Sequence, residues 1–317
     1  MISRAWSRIA RFLFGSVSVL PLALLRIATG FLTLAFALLL YFDSDPLLTY
    51  LRVEPDQDIL WWQLLPELSS TGVKVFCLLL VAMSILLTVG LWSRFAAWGV
   101  FFLTLCLQRY NPLAFNGGDL IMRGVLQLGV ALGPSGAYLS VDSFRRGGRA
   151  RSIPQIQAWP MRFVQLHISI GYLLTFYLKT RGDTWFDGTA LWYALNLDDL
   201  ARFDVPAVMV IPPLGTIFTL LAVFTEAFVG LGVWWRRTRP LALLAGIALH
   251  AGIALVMEIG FFSMVIVASY IVFVPGPALE RVLRRLRRRD PTARGLPLHL
   301  PERITALVDR PSRGSFG

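Results

Sequence analysis

The sequence predicts an all-α fold: a polytopic integral membrane bundle of about eight helices with no large soluble domain. Three observations carry that prediction. Hydrophobic residues make up 56% of the chain and charged residues only 15%, and the mean hydropathy is +0.64, too apolar for a water-soluble domain. The apolar residues gather into runs, most of them long enough to cross a bilayer. The cations that give a formal net charge of +11 fall in short clusters between those runs. There they read as topology signals, not as a nucleic-acid-binding face, so no nucleic-acid partner is expected.

Taken in order, residues 1–15 form an interfacial amphipathic helix, with Arg4, Arg8 and Arg11 at helical spacing opposite Trp6, Ile9, Phe12 and Leu13. A cleaved signal peptide would share the basic start, but the apolar run that follows continues through Leu40 and can span. The membrane domain covers residues 16–278, with apolar runs at 17–42, 75–92, 95–107, 120–139, 163–178, 207–235, 241–257 and 260–274. Two runs are short, and Pro212 and Pro213 leave room for a kink or re-entrant start. Residues 279–317 are a basic tail whose arginines and leucines suit an anionic inner leaflet.

Alternate loops differ in charge. One set holds Arg4, Arg8, Arg11, Arg94, Arg145, Arg146, Arg149, Arg151, Arg236, Arg237, Arg239 and the arginine tail; the other holds Arg52, Lys74, Arg109, Arg123, Lys179, Arg181 and Arg202. The positive-inside rule then puts both termini in the cytoplasm of a multi-pass plasma (inner) membrane protein, with Lys179 on the exterior side. Cys77 and Cys106 lie inside apolar runs, and His167, His250 and His299 are scattered, so no metal is expected.

Three places carry ionisable groups that apolar runs do not tolerate without a reason. The first is YLLTFYLKTRGDTWFDG, residues 172–188, where Lys179 closes an apolar run and Arg181, Asp183, Trp185, Asp187 and Gly188 follow. A snorkelling anchor at the headgroups is one reading; a cation on a cavity rim is the other. The second is QRYNPLAFNGGDLIMRG, residues 108–124. Asn111-Pro112 and Gly117-Gly118 break helices, Arg109 and Asn116 flank them, and Asp119 and Arg123 stand four apart at a helix start, where the aspartate can cap and the pair can bond. The third comprises Glu226, His250 and Arg26, each inside an apolar run and each needing a partner; Arg26 is expected to pair with Glu226 or Asp119.

These motifs together resemble the vitamin K-dependent gamma-carboxylase superfamily and its bacterial branch of horizontally transferred transmembrane (HTTM) domain proteins. In that family a lysine ends a membrane helix and a tryptophan, an acidic residue and a glycine follow, as Lys179, Trp185, Asp187 and Gly188 do. The pattern of an arginine, Asn-Pro, Asn-Gly-Gly-Asp and a later arginine is met at Arg109, Asn111, Pro112, Asn116 to Asp119 and Arg123, and a short motif is met at Ser140 to Asp142. The likeness runs over residues 21–275 and includes Glu226 and His250. It implies a catalytic base at Lys179 and an extracytoplasmic cavity that includes Arg109, Asn111, Asn116, Asp119, Arg123, Trp185, Asp187, Glu226 and His250. It also implies a reduced quinone of vitamin K or menaquinol type as cofactor, in an apolar slot to which Phe176, Trp185, Trp192 and Tyr193 would contribute. In the carboxylase the lysine deprotonates vitamin K hydroquinone, oxygen adds, and the resulting alkoxide takes a proton from a substrate glutamate. This sequence departs from that pattern with Gly117-Gly118 where the carboxylase has a histidine, and the carboxylase's β-rich luminal domain is not expected here. Two functions therefore stand: a quinol-dependent oxidase, epoxidase or carboxylase-like enzyme, or a non-catalytic accessory protein such as a maturation factor for a secreted peptide toxin. Membrane lipids, and a secreted peptide or protein substrate, are the partners implied. A transporter is disfavoured, because no two matching halves with broken helices are visible.

Overall fold

The computed structural model describes residues 2–42, 69–110, 116–146, 152–197, 200–204 and 213–289. Arg52, Asn111, Pro112, Arg149, Arg151, Pro212, His299 and the tail beyond Arg289 lie outside the described residues, as do the side chains of Arg4 and Arg109. Each of the eight apolar runs contains a helix. In chain order the helices are α1 (Ile2–Phe14), α2 (Leu20–Phe42), α3 (Ser70–Val89), α4 (Ser93–Tyr110), α5 (Gly117–Leu132), α6 (Val141–Arg145), α7 (Trp159–Lys179), α8 (Asp183–Phe186), α9 (Ala190–Leu195), α10 (Leu214–Gly232), α11 (Arg239–Val256), α12 (Phe262–Ser269) and α13 (Gly276–Arg289). Four of these, α2, α3, α10 and α11, are long and apolar enough to cross a membrane by length and composition, and the bent α12–α13 pair raises the number to five. The remaining runs fall short for a visible reason. α5, at 16 residues, is too short to qualify, and α7, at 21 residues, has the length but carries Arg162, Gln165 and His167, which lower its hydropathy.

The order of packing places the site. α2 lies along α3, α3 along α4, α4 along α5, α5 along α7, α7 along α10, α10 along α11, and α12 closes against α2 and α5. Without a hydrophobic drive between helices in lipid, close backbone approach matters, and glycine supplies it where α7 meets α10. A Cβ on Gly230 would lie 2.8 Å from Leu173 and 3.3 Å from the Ser169 carbonyl. Inside, Leu22, Leu25, Leu80, Leu126, Val164 and Val229 belong to one buried cluster; outside, Phe31, Ile85, Ile170, Leu221 and Leu244 are exposed as a lipid-facing belt.

One end of the bundle gathers the basic elements. The strand Ser16–Ser18 pairs antiparallel with Gln155–Gln157, Val17 opposite Ile156, which ties the start of α2 to the start of α7. Gly276 at the start of α13 packs on Ser18, and Phe12 of α1 meets Trp234 with ring centroids 5.8 Å apart. Arg26 is fully buried, and its partners are neither Glu226 nor Asp119, contrary to the expectation. It donates to the backbone carbonyls of Ser135 (3.2 Å), Leu87, Thr88 (2.9 Å) and Leu139 (2.5 Å). The last carbonyls of a helix have no intrahelical partner, and a guanidinium with five donors satisfies several of them at once. Beside it, the Ser140 to Asp142 motif is a clasp. Ser140 closes a capping box with Ser143 on α6, and Asp142 accepts from Trp92 N (2.8 Å), Ser93 N (2.7 Å) and Ser93 Oγ (2.7 Å), holding the start of α4.

Candidate functional site

Lys179 is the last residue of α7, as the break in apolar character after it predicts. The chain then turns through residues 180–182 into α8 and folds back along the first turns of α10. Gly188 makes that return possible: its φ is +82°, and a Cβ there would run into Thr216 of α10. Thr219 Oγ1 donates to the Gly188 carbonyl (3.3 Å) and accepts from Leu191 N (3.4 Å). Asp187, exposed on this rim, accepts from Thr189 N (2.8 Å) and Oγ1 (2.6 Å). The segment after the lysine is therefore a plug seated beside α10.

Lys179 Nζ donates to Glu226 Oε1 at 2.5 Å, and the two side chains are 21% and 11% exposed. Trp185 covers the ammonium, 4.4 Å from its ring centroid. Glu226 stands 12 residues past Leu214, roughly 18 Å into α10 at about 1.5 Å per residue. Around that depth α10 shows lipid Leu221, Phe224 and Phe228. A headgroup anchor reaches for water; this ammonium reaches inward to a carboxylate buried in an apolar helix.

Behind the pair lies a hydrogen-bonded aromatic group. Tyr172, seven residues before Lys179 on the same helix, bonds His250 Nε2 at 2.7 Å and also bonds the Tyr270 hydroxyl. Gly246 leaves room for Tyr270. Tyr172 is within electrostatic reach of Glu226, and His250 of Lys179. Two enclosed atoms of this group, Glu226 Oε2 and His250 Nδ1, have no hydrogen-bond partner. Leaving such atoms unmatched costs about 1–3 kcal/mol each. Of the four aromatics expected to wall a slot, Trp185 touches Lys179 and Phe176 faces Phe224 on α10 at 6.5 Å, whereas Trp192 and Tyr193 meet each other and are 42% and 55% exposed.

The second polar segment forms its own buried group. Asn116, not Asp119 as expected, caps α5, its Oδ1 accepting from Gly118 N (2.9 Å) and Asp119 N (3.3 Å). An asparagine two residues before the amide reaches it more directly than a side chain already in the first turn. That frees Asp119 for Arg123, bound at 2.7 and 3.0 Å with both residues buried, the guanidinium lying 4.2 Å from the Phe36 ring centroid. Among the described residues no hydrogen bond or ion pair joins Asp119 or Asn116 to Lys179. The ring of Phe262 stands between the groups, 5.5 Å from the His250 ring on one side and 2.8 Å from where a Gly118 Cβ would be on the other. A Cβ at Gly117 would meet nothing within 4 Å.

Sequence reasoning singled out Lys179, Glu226, His250, Asp119 and Arg123 because charge in an apolar run is conspicuous. It did not assign the Lys179–Glu226 pairing, nor Tyr172 and Tyr270, which look like ordinary core aromatics; the seven-residue spacing of Tyr172 and Lys179 on one helix face was the available signal.

A helical bundle with ionisable groups paired inside it defines a polytopic integral membrane protein. Its family follows directly: the HTTM domain profile matches residues 9–276, most of the chain, and the protein belongs to the HTTM domain family. No curated protein and no solved structure matches the chain.

Proposed function

We propose that the protein is a plasma-membrane enzyme of the carboxylase-like branch that uses a reduced lipid quinone, with both termini cytoplasmic, Lys179 as the base and Glu226 as its proton partner. The observation that carries the reading is the Lys179–Glu226 pair set within an apolar helix, with Glu226 Oε2 and His250 Nδ1 enclosed and unmatched beside it. Those atoms fit a quinol: a carboxylate oxygen accepts from a hydroxyl, the imidazole nitrogen meets a second polar atom, and Trp185, Phe176 and Phe262 offer apolar surface. When bound, a reduced quinone supplies an ionisable hydroxyl and two electrons.

The chain's own residues do the rest. Glu226 takes the proton from Lys179 Nζ through the existing hydrogen bond, leaving an amine that can accept one from a hydroxyl at its edge. Trp185 and the plug of α8 and α9 restrict water, which strengthens every polar interaction inside. Tyr172 holds His250 by Nε2 and so leaves Nδ1 as the ring nitrogen free to bond.

The test is Lys179→Arg. Guanidinium keeps the charge and the carboxylate bond but does not release its proton. In air-saturated detergent, with dioxygen as the electron acceptor, purified wild type is expected to oxidise reduced menaquinone or vitamin K, and the variant to lose turnover by about 100-fold or more with its melting temperature retained. Equal turnover in both removes the base role. Gly117 and Gly118, in place of the carboxylase histidine, favour a second reading, an accessory protein for a secreted peptide; absence of turnover in both proteins would support it.

A further inference from the structure

At the basic end of the bundle two arginines from different helices meet round one aromatic stack. Arg162 stands on the first turn of α7 and Arg239 opens α11, and both are half-buried. Each guanidinium is fixed from within the protein. Arg162 Nε donates to the Phe12 carbonyl near the end of α1 (3.2 Å) and its Nη1 to Gln165 Oε1 (2.7 Å), while Arg239 Nε donates to the Val233 carbonyl (2.8 Å). The Phe12 ring lies 4.4 Å from the Arg162 guanidinium and 5.8 Å from the ring of Trp234, whose Nε1 donates to Ser169 Oγ of α7 at 2.9 Å. Arg162 is within electrostatic reach of Arg239, and Arg239 of Arg236. Among the described residues no aspartate or glutamate forms an ion pair with any of the three. The outer nitrogens, Arg162 Nη2 and both Nη atoms of Arg239, have no hydrogen-bond partner among the described residues, and none of them is enclosed. They are free to donate outward.

Like charges held this close repel, and partial burial adds to the cost, so the arrangement favours an anion shared between them. Phosphate oxygens match the guanidinium fork. The surroundings indicate where that phosphate comes from: Trp235, next to Trp234, is 59% exposed and Trp6 of α1 is 66% exposed, and exposed indoles belong at headgroup level. We propose that Arg162 and Arg239 together hold the phosphodiester of one anionic phospholipid whose acyl chains stay in the bilayer. Basic pockets between membrane helices take such heads. A zwitterionic head would bring a further cation to a place that gathers Arg162, Arg236 and Arg239, and a soluble phosphate makes no use of the indoles. Arg162 stands 17 residues before Lys179 on α7, roughly 26 Å away at about 1.5 Å per residue, so the site does not rest on the quinol reading.

Full-length protein in neutral detergent is titrated with dioleoylphosphatidylglycerol and with dioleoylphosphatidylcholine, bound lipid is counted by native mass spectrometry, and the melting temperature is followed in parallel. Wild type is expected to hold one phosphatidylglycerol about tenfold more tightly than phosphatidylcholine. Arg162→Gln and Arg239→Gln should each lose that preference. Arg239→Lys, which keeps a cation, should retain most of it, and Arg145→Gln, which removes an exposed cation on α6, should retain all of it. Excess inorganic phosphate at matched ionic strength should not release the lipid. Absence of the preference in wild type overturns the proposal, whether because a carboxylate of the tail beyond Arg289 holds the pair or because nothing does. So does an equal loss in Arg145→Gln, an unchanged preference in both glutamine variants, or a loss in Arg239→Lys as complete as in Arg239→Gln. Displacement by inorganic phosphate would make the ligand a soluble anion and overturn the lipid assignment.

Discussion

At Asp142 one side chain holds a helix start, and its chemistry makes that hold depend on pH. Burial alone would raise its pKa, but the bonds from Ser93 N and Oγ and from Trp92 N, with Arg146 nearby, outweigh burial and leave it lowered. A carboxyl lowered in the folded state contributes stability that is complete above its unfolded value of about 4 and is lost as pH falls through the folded value. Thermal denaturation in detergent should therefore show a loss of stability below about pH 4 that is smaller in Asp142→Asn, whose neutral amide does not titrate; an unchanged acid slope in that variant would discount the clasp. Legibility at this scale was uneven. Glu226 and Lys179 were conspicuous one by one, but their pairing across 47 positions depends on α7 lying against α10. No local pattern records that. Arg26 was conspicuous too, and its partners turned out to be carbonyls, which every residue possesses and no sequence singles out.

The most instructive element is the plug made by α8 and α9. Its start was legible, because Lys179 ends the apolar run and a glycine and polar residues follow. Its seat against α10 was not, since that rests on Gly188 at φ +82° beside Thr216 and on the two bonds of Thr219. Gly188→Ala adds a methyl into Thr216 and strains the backbone, an effect of roughly 1–3 kcal/mol confined to the return. Hydrogen exchange of residues 183–195 should accelerate about tenfold while α2 and α3 stay protected, and Lys179 should become accessible to amine-reactive reagent. Uniform acceleration across the bundle would instead mean that Gly188 supports the whole fold. The cap of α5 shows the opposite kind of miss: the helix start was foreseen, but the capping duty went to Asn116, because Asn, three residues nearer the loop, competes for the same amides.

Over the whole molecule the eight apolar runs were each read correctly as helical, yet by length and composition only four or five qualify as spans. The shortfall falls on helices such as α5, which is short at 16 residues, and α7, whose Arg162, Gln165 and His167 lower an otherwise apolar average. Sidedness follows from the basic end, at which α1, the starts of α2, α4 and α7, and α13 converge. If that end is cytoplasmic, a cysteine placed at Asp183 should react with an impermeant thiol reagent added outside intact cells. Labelling only after the inner face is exposed would reverse the orientation and move the Lys179 group to the cytoplasmic side.

The four carbonyls that hold Arg26 belong to residues 61 to 113 positions later in the chain. At about 5–20 residues per second of synthesis, the first apolar helix waits on the order of ten seconds before its guanidinium has anything to bind. During that interval a cation inside a nascent span carries an insertion penalty of up to about 3 kcal/mol. The first span is apolar enough to insert by itself, but its guanidinium stays unmatched until the hairpin of α3 and α4 and the turn after α5 have been made, so a fold read as a set of neighbours is also an order of assembly, in which an early helix is among the last to have its polar group satisfied.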